Sequence, residues 1–297
     1  MLKKREFIWA VSGVLGALVL SGLSLAGASD VPQKQLETVL ERIEKESGGR
    51  LGVAVLDTNA GTRAFLHGDD RFPITSTFKF LASAALLKQV AEGRSSLDKL
   101  IKYTAADVVP NSPETQKHIE MGMALADICK AAITLSDNTA GNMLLREIGG
   151  PAGLTGFARS LGDDQTRMDR WEVELNEALP GDPRDTTTPV SMLKNLQLLL
   201  VGDALPERYR QTLMNWMFAN KTGDARLRAG LPHDWKVADK TGSGERGSTN
   251  DIGVLWPPGR KPILVAVYST GSSATAEERN AIIAKVARAI VEMTKIE

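Results

Sequence analysis

Apolar positions along residues 33–47 recur at helical spacing (Leu36, Val39, Leu40, Ile43) and stop at Ser47-Gly48-Gly49, which predicts a helix ended by glycine. Leu51 to Leu56 then reads as a strand, Asp57 to Gly61 as a turn and Thr62 to His67 as a return strand. From about Phe72 to Met217 the pattern is helical with loops between. The clearest helices are Phe78 to Val90, Ala124 to Leu135, Thr139 to Ile148 and Pro189 to Val201. Beyond Leu231-Pro232 strands return at Lys236 to Thr241, Asp251 to Trp256 and Pro262 to Tyr268, with glycine- or proline-rich turns that predict antiparallel hairpins. Thr275 to Ile296 closes the chain as a long amphipathic helix striped by Ile282, Ile283, Val286, Ile290 and Val291. Strands at both ends and helices between them predict an α/β plus all-α fold. One antiparallel sheet is built from both termini (29–70 and 218–297) and flanked by helices, and a helical domain (71–217) is inserted.

Two stretches break this pattern. Lys3, Lys4 and Arg5 precede an apolar run from Phe7 to Leu25, which ends at the small-x-small sequence Ala26-Gly27-Ala28. This reads as a signal peptide over residues 1–28, with export to the periplasm or medium. An N-terminal membrane anchor is the alternative, since the run could almost span a bilayer. Residues 167–188 are too polar and proline-broken for a helix, yet Leu175, Ala178 and Leu179 give them something to pack with. Such a length predicts a folded Ω-type loop.

Composition narrows the function by exclusion. The chain has 36 Lys and Arg against 36 Asp and Glu, so no basic field points to nucleic acid. Removing residues 1–28 takes away three basic and one acidic residue and leaves a formal charge of −2. The lone Cys129 excludes an intramolecular disulfide, and its apolar neighbours mark a buried core thiol. His67, His118 and His233 show no paired spacing, so neither a metal site nor another cofactor is expected. A small molecule is the expected partner, bound by a monomer with no stable membrane association after cleavage.

Ser-x-x-Lys sets a hydroxyl and an amine on one side of a helical turn, about 5–6 Å apart at Cβ. An amine with a depressed pKa can then take the proton of the serine. The spacing occurs at Ser76–Lys79, Ser96–Lys99 and Ser191–Lys194, and Lys-Thr-Gly occurs at Lys221 and Lys240. Context separates the copies. Ser76 opens an apolar helix, where free N–H groups can stabilise an oxyanion, and Lys240 ends a strand followed by Thr241-Gly242-Ser243-Gly244. Lys221-Thr222-Gly223 lies in a loop with no such strand. Ser136-Asp137-Asn138 joins two helical segments. It reads equally as a helix cap or as a proton donor, Ser136, beside an amide-gripping Asn138.

Taken together, Ser76-Thr77-Phe78-Lys79, Ser136-Asp137-Asn138 and Lys240-Thr241-Gly242 resemble the triple motif of the penicillin-recognising serine enzymes. Arg170-Trp171-Glu172-Val173-Glu174-Leu175-Asn176 and the run from Pro180 to Thr187 resemble the Ω loop of class A β-lactamases. The resemblance implies hydrolysis of β-lactam antibiotics through an acyl-enzyme on Ser76. Lys79 would shuttle the proton, and Glu172 would activate the deacylating water beside Asn176. Lys79 and Glu172 both stand as acylation bases. A penicillin-binding transpeptidase would share the short motifs without Glu172 and Asn176. By the same resemblance Arg170 and Asp185 close the loop as an ion pair, and the N–H groups of Ser76 and Ser243 form the oxyanion hole. Lys240, Thr241 and Ser243 bind the substrate carboxylate. Thr249 stands where many relatives carry an arginine, which leaves Arg226 as its substitute. Thr75 precedes the nucleophile in place of the common Cys or Met, and Asn111 replaces an aromatic at the cleft mouth.

Overall fold

The computed structural model describes residues 30–296; the segment read as a signal peptide lies outside the described residues. Helix α1 (Asp30–Ser47) leads into strands β1 (Arg50–Asp57), β2 (Arg63–Leu66) and the short β3 (Phe72–Pro73). A helical region follows with α2 (Phe78–Ala91), α3 (Leu125–Thr134), α4 (Asn138–Glu147) and α5 (Gly150–Ser160), and with short strands β4 (Leu100–Ile101) and β5 (Met123–Ala124). Strand β6 (Thr186–Thr187), helices α6 (Pro189–Leu196) and α7 (Glu207–Phe218), strands β7 (Lys236–Ser243), β8 (Thr249–Trp256) and β9 (Ile263–Thr270) and helix α8 (Ala276–Thr294) complete the chain.

The five-stranded sheet runs β2-β1-β9-β8-β7, antiparallel throughout, so the two ends of the chain pair at its centre. Alternation within the central strands feeds two cores, as the pleat requires. Leu51, Val53 and Val55 of β1 and Val265 and Val267 of β9 pack with Leu36 and Leu40 of α1 and Ile283 and Val286 of α8. Ala54, Leu56, Leu264 and Ala266 face the other way, toward the helical region. There α2 is apolar nearly all round and buried from Phe78 to Leu87, the behaviour of a helix surrounded by protein. Lys79 is the cation inside that buried stretch.

The expected strands and terminal helices are present. The segment 189–201 divides into α6 and a wider π-type turn over 197–201. Helix α5 had no clear sequence signal, because Gly150, Pro151, Gly153 and Gly156 read as loop residues. Its packing explains the glycine at 153: a Cβ there would stand 1.9 Å from the Ile148 carbonyl oxygen.

Two further contacts position the site. Strand β3 pairs with β6, Phe72 opposite Thr187, which pins the end of the Ω loop to the chain leading to Ser76. Gly52 on β1 lets the fully buried Phe72 ring lie against the sheet, since a Cβ there would be 2.3 Å from Phe72 Cε2. Gly52→Ala is therefore expected to cost about 1–3 kcal/mol by overpacking. The urea midpoint should fall at unchanged m-value; an unaltered midpoint would show that Phe72 is free to move.

Candidate active site

Ser76 sits on a single 3₁₀ turn, Thr75–Thr77, immediately before α2. Thr75 is held at φ 44°, a costly region for a β-branched residue. Asn250 of β8 supports it, donating through Nδ2 to Thr75 Oγ1 and to the Pro73 carbonyl, both at 2.9 Å. Thr77 Oγ1 donates to the Ile74 carbonyl at 2.5 Å. Strand β7 approaches this turn so closely that a Cβ on Gly242 would be 2.1 Å from Thr75 Oγ1. The missing side chain at Gly242 is what lets the strand lie against this turn.

Lys79 lies one turn on and has no solvent exposure. Its Nζ contacts Ser76 Oγ at 2.9 Å, the Ser136 carbonyl at 2.8 Å, Asn138 Oδ1 at 2.7 Å and Glu172 Oε1 at 2.9 Å. Gly141 of α4 makes room for the stem, as a Cβ there would stand 2.7 Å from Lys79 Cε. Burial pushes the Lys79 ammonium below its ordinary range, and the Glu172 carboxylate opposes that only in part. Glu172 Oε1 is also 3.4 Å from Ser76 Oγ. Hydroxyl, amine and carboxylate thus share one buried space.

The helix-cap reading of Ser136-Asp137-Asn138 holds at Asp137. Asp137 caps α4, accepting from Ala140 N at 2.8 Å, and also accepts from Glu114 N and Thr115 N at 3.0 Å each. That anchorage holds Ser136 at φ 57°. Its carbonyl meets Lys79 while its hydroxyl accepts from Lys240 Nζ at 3.0 Å. Lys240 is also fully buried and donates to the Thr241 carbonyl at 2.7 Å. Burial, then the neighbouring positive charges of Lys79 and Arg226, drive its pKa well down.

The Ω loop delivers Glu172. Asn142 of α4 grips the backbone of that residue from both sides, accepting from Glu172 N at 2.9 Å and donating to Glu172 O at 3.0 Å. Asn142 was not among the sequence candidates. Its only signal was standing four residues after Asn138, hence on the same helix face. Asn176 Nδ2 donates to Glu172 Oε2 at 2.5 Å, and Asn176 Oδ1 is buried with no hydrogen-bond partner among the described residues. The expected Arg170–Asp185 ion pair forms at 2.6 Å. Asp185 Oδ1 also accepts from the backbone N–H groups of Asp169 and Arg170, at 2.8 and 3.0 Å.

Around Ser243 the picture is more particular. Thr249 lies opposite Ser243 in the β7–β8 register. The Arg226 guanidinium, 8% exposed, donates to the Gly242 carbonyl at 2.8 Å, the Asn250 carbonyl at 2.6 Å, Ser243 Oγ at 2.6 Å and Asn280 Oδ1 at 2.9 Å. Its charge therefore reaches the rim of the site through Ser243. The set-aside copy of Lys-Thr-Gly is also nearby: Thr222 Oγ1 lies 2.5 Å from Thr241 Oγ1. Spacing could not show this, because the contact depends on how the loop after α7 folds back. Asn111 is exposed, and its carbonyl accepts from Asn138 N at 3.0 Å. Cys129 is fully buried, its thiol pushed up to about 12 by desolvation, as befits a core residue.

A family model described as the beta-lactamase enzyme family matches residues 33–294. The beta-lactamase AST-1 of Nocardia asteroides is 47% identical over 281 residues, covering 95% of this chain and 88% of that protein. CTX-M-8 of Citrobacter amalonaticus is 45% identical, with 97% of each chain covered. Among solved structures, an ancestral (GNCA) class A beta-lactamase superposes with a TM-score of 0.86 at 60% identity, over 86% of this chain and 99% of that one. The putative class A beta-lactamase PenP from Rhodopseudomonas palustris does so with a TM-score of 0.85 at 54% identity, over 86% of this chain and 98% of that one. The chain belongs to the β-lactamase enzyme family. Within it, sequence and structure alike make it a class A enzyme, a hydrolase of β-lactams.

Asp185→Ala should leave the Arg170 guanidinium and two backbone donors short of their acceptor, at a cost of about 3 kcal/mol. Misplacing Glu172 even slightly should lower turnover roughly a hundredfold. Thermal unfolding and steady-state kinetics on the same preparation check both; unchanged turnover would mean that the loop keeps its shape without this pair.

Proposed function

We propose that Ser76 Oγ is the nucleophile of β-lactam hydrolysis, working in the cleft between the α/β body (29–70 and 218–297) and the helical body (71–217). The observation that carries this reading is the convergence of Ser76 Oγ, Lys79 Nζ and Glu172 Oε1 within 2.9–3.4 Å of one another. Attack on the lactam carbonyl transfers the Ser76 proton to a base, and Lys79 Nζ and Glu172 Oε1 both stand within reach of it. The backbone N–H groups of Ser76 and Ser243 hold the oxyanion, each worth about 3–4 kcal/mol in comparable sites. As the C–N bond breaks, Ser136 hands its proton to the departing nitrogen and is resupplied across the Lys79–Ser136–Lys240 relay. Asn138 grips the substrate amide. Lys240, Thr241 and Ser243, with Arg226 behind them, bind the substrate carboxylate.

Deacylation then needs a water and a base. Glu172 takes a proton from a water placed by Asn176, the resulting hydroxide attacks the ester carbonyl, and Ser76 leaves with a proton returned to it. No metal or other cofactor enters the scheme. The chain acts as an exported monomer, periplasmic or secreted, and confers β-lactam resistance. The basic start and small-x-small end of residues 1–28 support export. Among the described residues no helix is long and apolar enough to cross a membrane.

Glu172→Ala should release one equivalent of product from a chromogenic cephalosporin and then stop, with the acyl adduct on Ser76 visible by mass spectrometry. Continued rapid turnover in that variant would remove Glu172 from the mechanism. A wild-type enzyme that also stopped after one equivalent would instead be a penicillin-binding target. Arg226→Ala should lower kcat/KM for penicillins about tenfold or more, as expected for a lost charge-assisted contact; an intact value would reassign Arg226 to structure alone.

A further inference from the structure

A cavity of ≈ 560 Å³ lies between the second half of the Ω loop and the surface formed by the start of β1, the β3 region, the β7–β8 turn and the end of β9. None of Ser76, Lys79, Ser136 or Glu172 lines it. That volume falls in the range of small-molecule sites. Part of its wall is apolar, supplied by Pro73, Leu175, Leu179 and Pro180. The charges around it do not cancel. Three carboxylates are present, and each already holds a guanidinium: Asp70 with Arg50 at 3.0 Å, Asp182 with Arg184 at 2.6 Å, and Asp185 with Arg170 at 2.6 Å. Arg71 spends its guanidinium on neutral oxygens, the Gln165 carbonyl and Oε1 and Thr186 Oγ1, at 2.7–3.1 Å. Arg246 is exposed and makes no ion pair among the described residues. Arg170 is shared with Glu177 at 2.6 Å, so the surplus is one positive charge; the free Arg246 guanidinium beside an apolar wall is suited to an anion with an apolar body, since arginine binds planar oxyanions by paired hydrogen bonds.

The cavity also touches the support of the deacylation machinery. Leu175, 1% exposed, is the central residue of the turn Glu174–Asn176. The Asn176 carbonyl accepts from Glu245 N at 2.9 Å, which ties that turn to the β7–β8 connection carrying Arg246. A molecule lodged between Leu175 and Arg246 would press on both sides of this tie.

We propose that this cavity binds a small amphiphilic anion, an apolar body bearing one carboxylate, sulfonate or phosphate group, and that occupancy slows deacylation by shifting the turn that holds Asn176. The slowing rests on the roles proposed above for Glu172 and Asn176; the binding does not. The probe is 8-anilinonaphthalene-1-sulfonate, titrated by fluorescence into the purified protein, with Arg246→Ala and Leu179→Asp variants whose near-ultraviolet circular dichroism matches the parent. Saturable binding that weakens about tenfold in each variant is expected, as is further weakening with added salt. With a chromogenic cephalosporin, the saturated enzyme should show a lower kcat, an unchanged acylation burst and accumulated acyl-Ser76. Absence of saturable binding, or equal affinity in parent and both variants, overturns the site. A rise in KM alone also overturns it, because the probe is then in the catalytic cleft. Variant-sensitive binding with unchanged kcat keeps the site and overturns the coupling. If the enzyme without probe forms no acyl-Ser76, the proposed mechanism fails, and the binding titration is unaffected.

Discussion

Four oxygens converge on an ammonium that owns three protons. Lys79 Nζ lies within 2.7–2.9 Å of Ser76 Oγ, the Ser136 carbonyl, Asn138 Oδ1 and Glu172 Oε1, so one contact lacks its own proton at any instant. A buried charge is tolerated only when paired and hydrogen-bonded, and removing either partner strands the other. Much of the surrounding construction follows from that requirement. Helix α2 is apolar nearly all round because it must carry this lysine through the interior, and α4 has glycine at 141 to clear its stem. Asn142 fixes the backbone of Glu172 so that its carboxylate arrives where the charge needs it.

Strain is concentrated on the same chain segments. Thr75, Ser136 and Asp185 are non-glycine residues with φ between 44° and 57°, and they neighbour the nucleophile, the relay and the loop closure. Each is held by contacts from elsewhere in the sequence: Asn250 at Thr75, the anchored Asp137 beside Ser136, Arg170 at Asp185. Such conformations persist where surrounding bonds over-determine them. Here they turn the Ser136 carbonyl and hydroxyl toward two different ammonium groups.

Much of this was legible before folding was considered, and the reason is local. The pairing of Ser76 with Lys79 depends on a helical turn, and the placement of Lys240 on a strand pattern with Thr-Gly next to it. The terminal strands announced themselves by apolar runs between turn residues. What could not be read depends on distant parts of the chain. Asn142 looks like any polar helix residue until Glu172 is brought against it. Thr222 occupies a motif copy that lacked its strand, yet the loop folds its hydroxyl onto Thr241. Helix α5 carries no plain signal because Gly153, which permits its close packing against Ile148, argues against a helix together with Gly150, Pro151 and Gly156. Arg226 is a candidate by its place in the sequence alone, and its bonding to the Gly242 and Asn250 carbonyls shows a side chain that builds the β7–β8 edge.

The two buried lysines are also coupled electrostatically to one another. Lys79 and Lys240 share Ser136, and the charge on Lys79 is among the causes that lower the pKa of Lys240. Repulsion between like charges is reciprocal, so whatever keeps Lys240 protonated disfavours the proton on Lys79. On the function proposed above, a carboxylate docked against Lys240, Thr241 and Ser243 would supply that bias, since a nearby anion favours the charged amine. Ser136 lies between the two amines, its carbonyl against Lys79 Nζ and its hydroxyl against Lys240 Nζ.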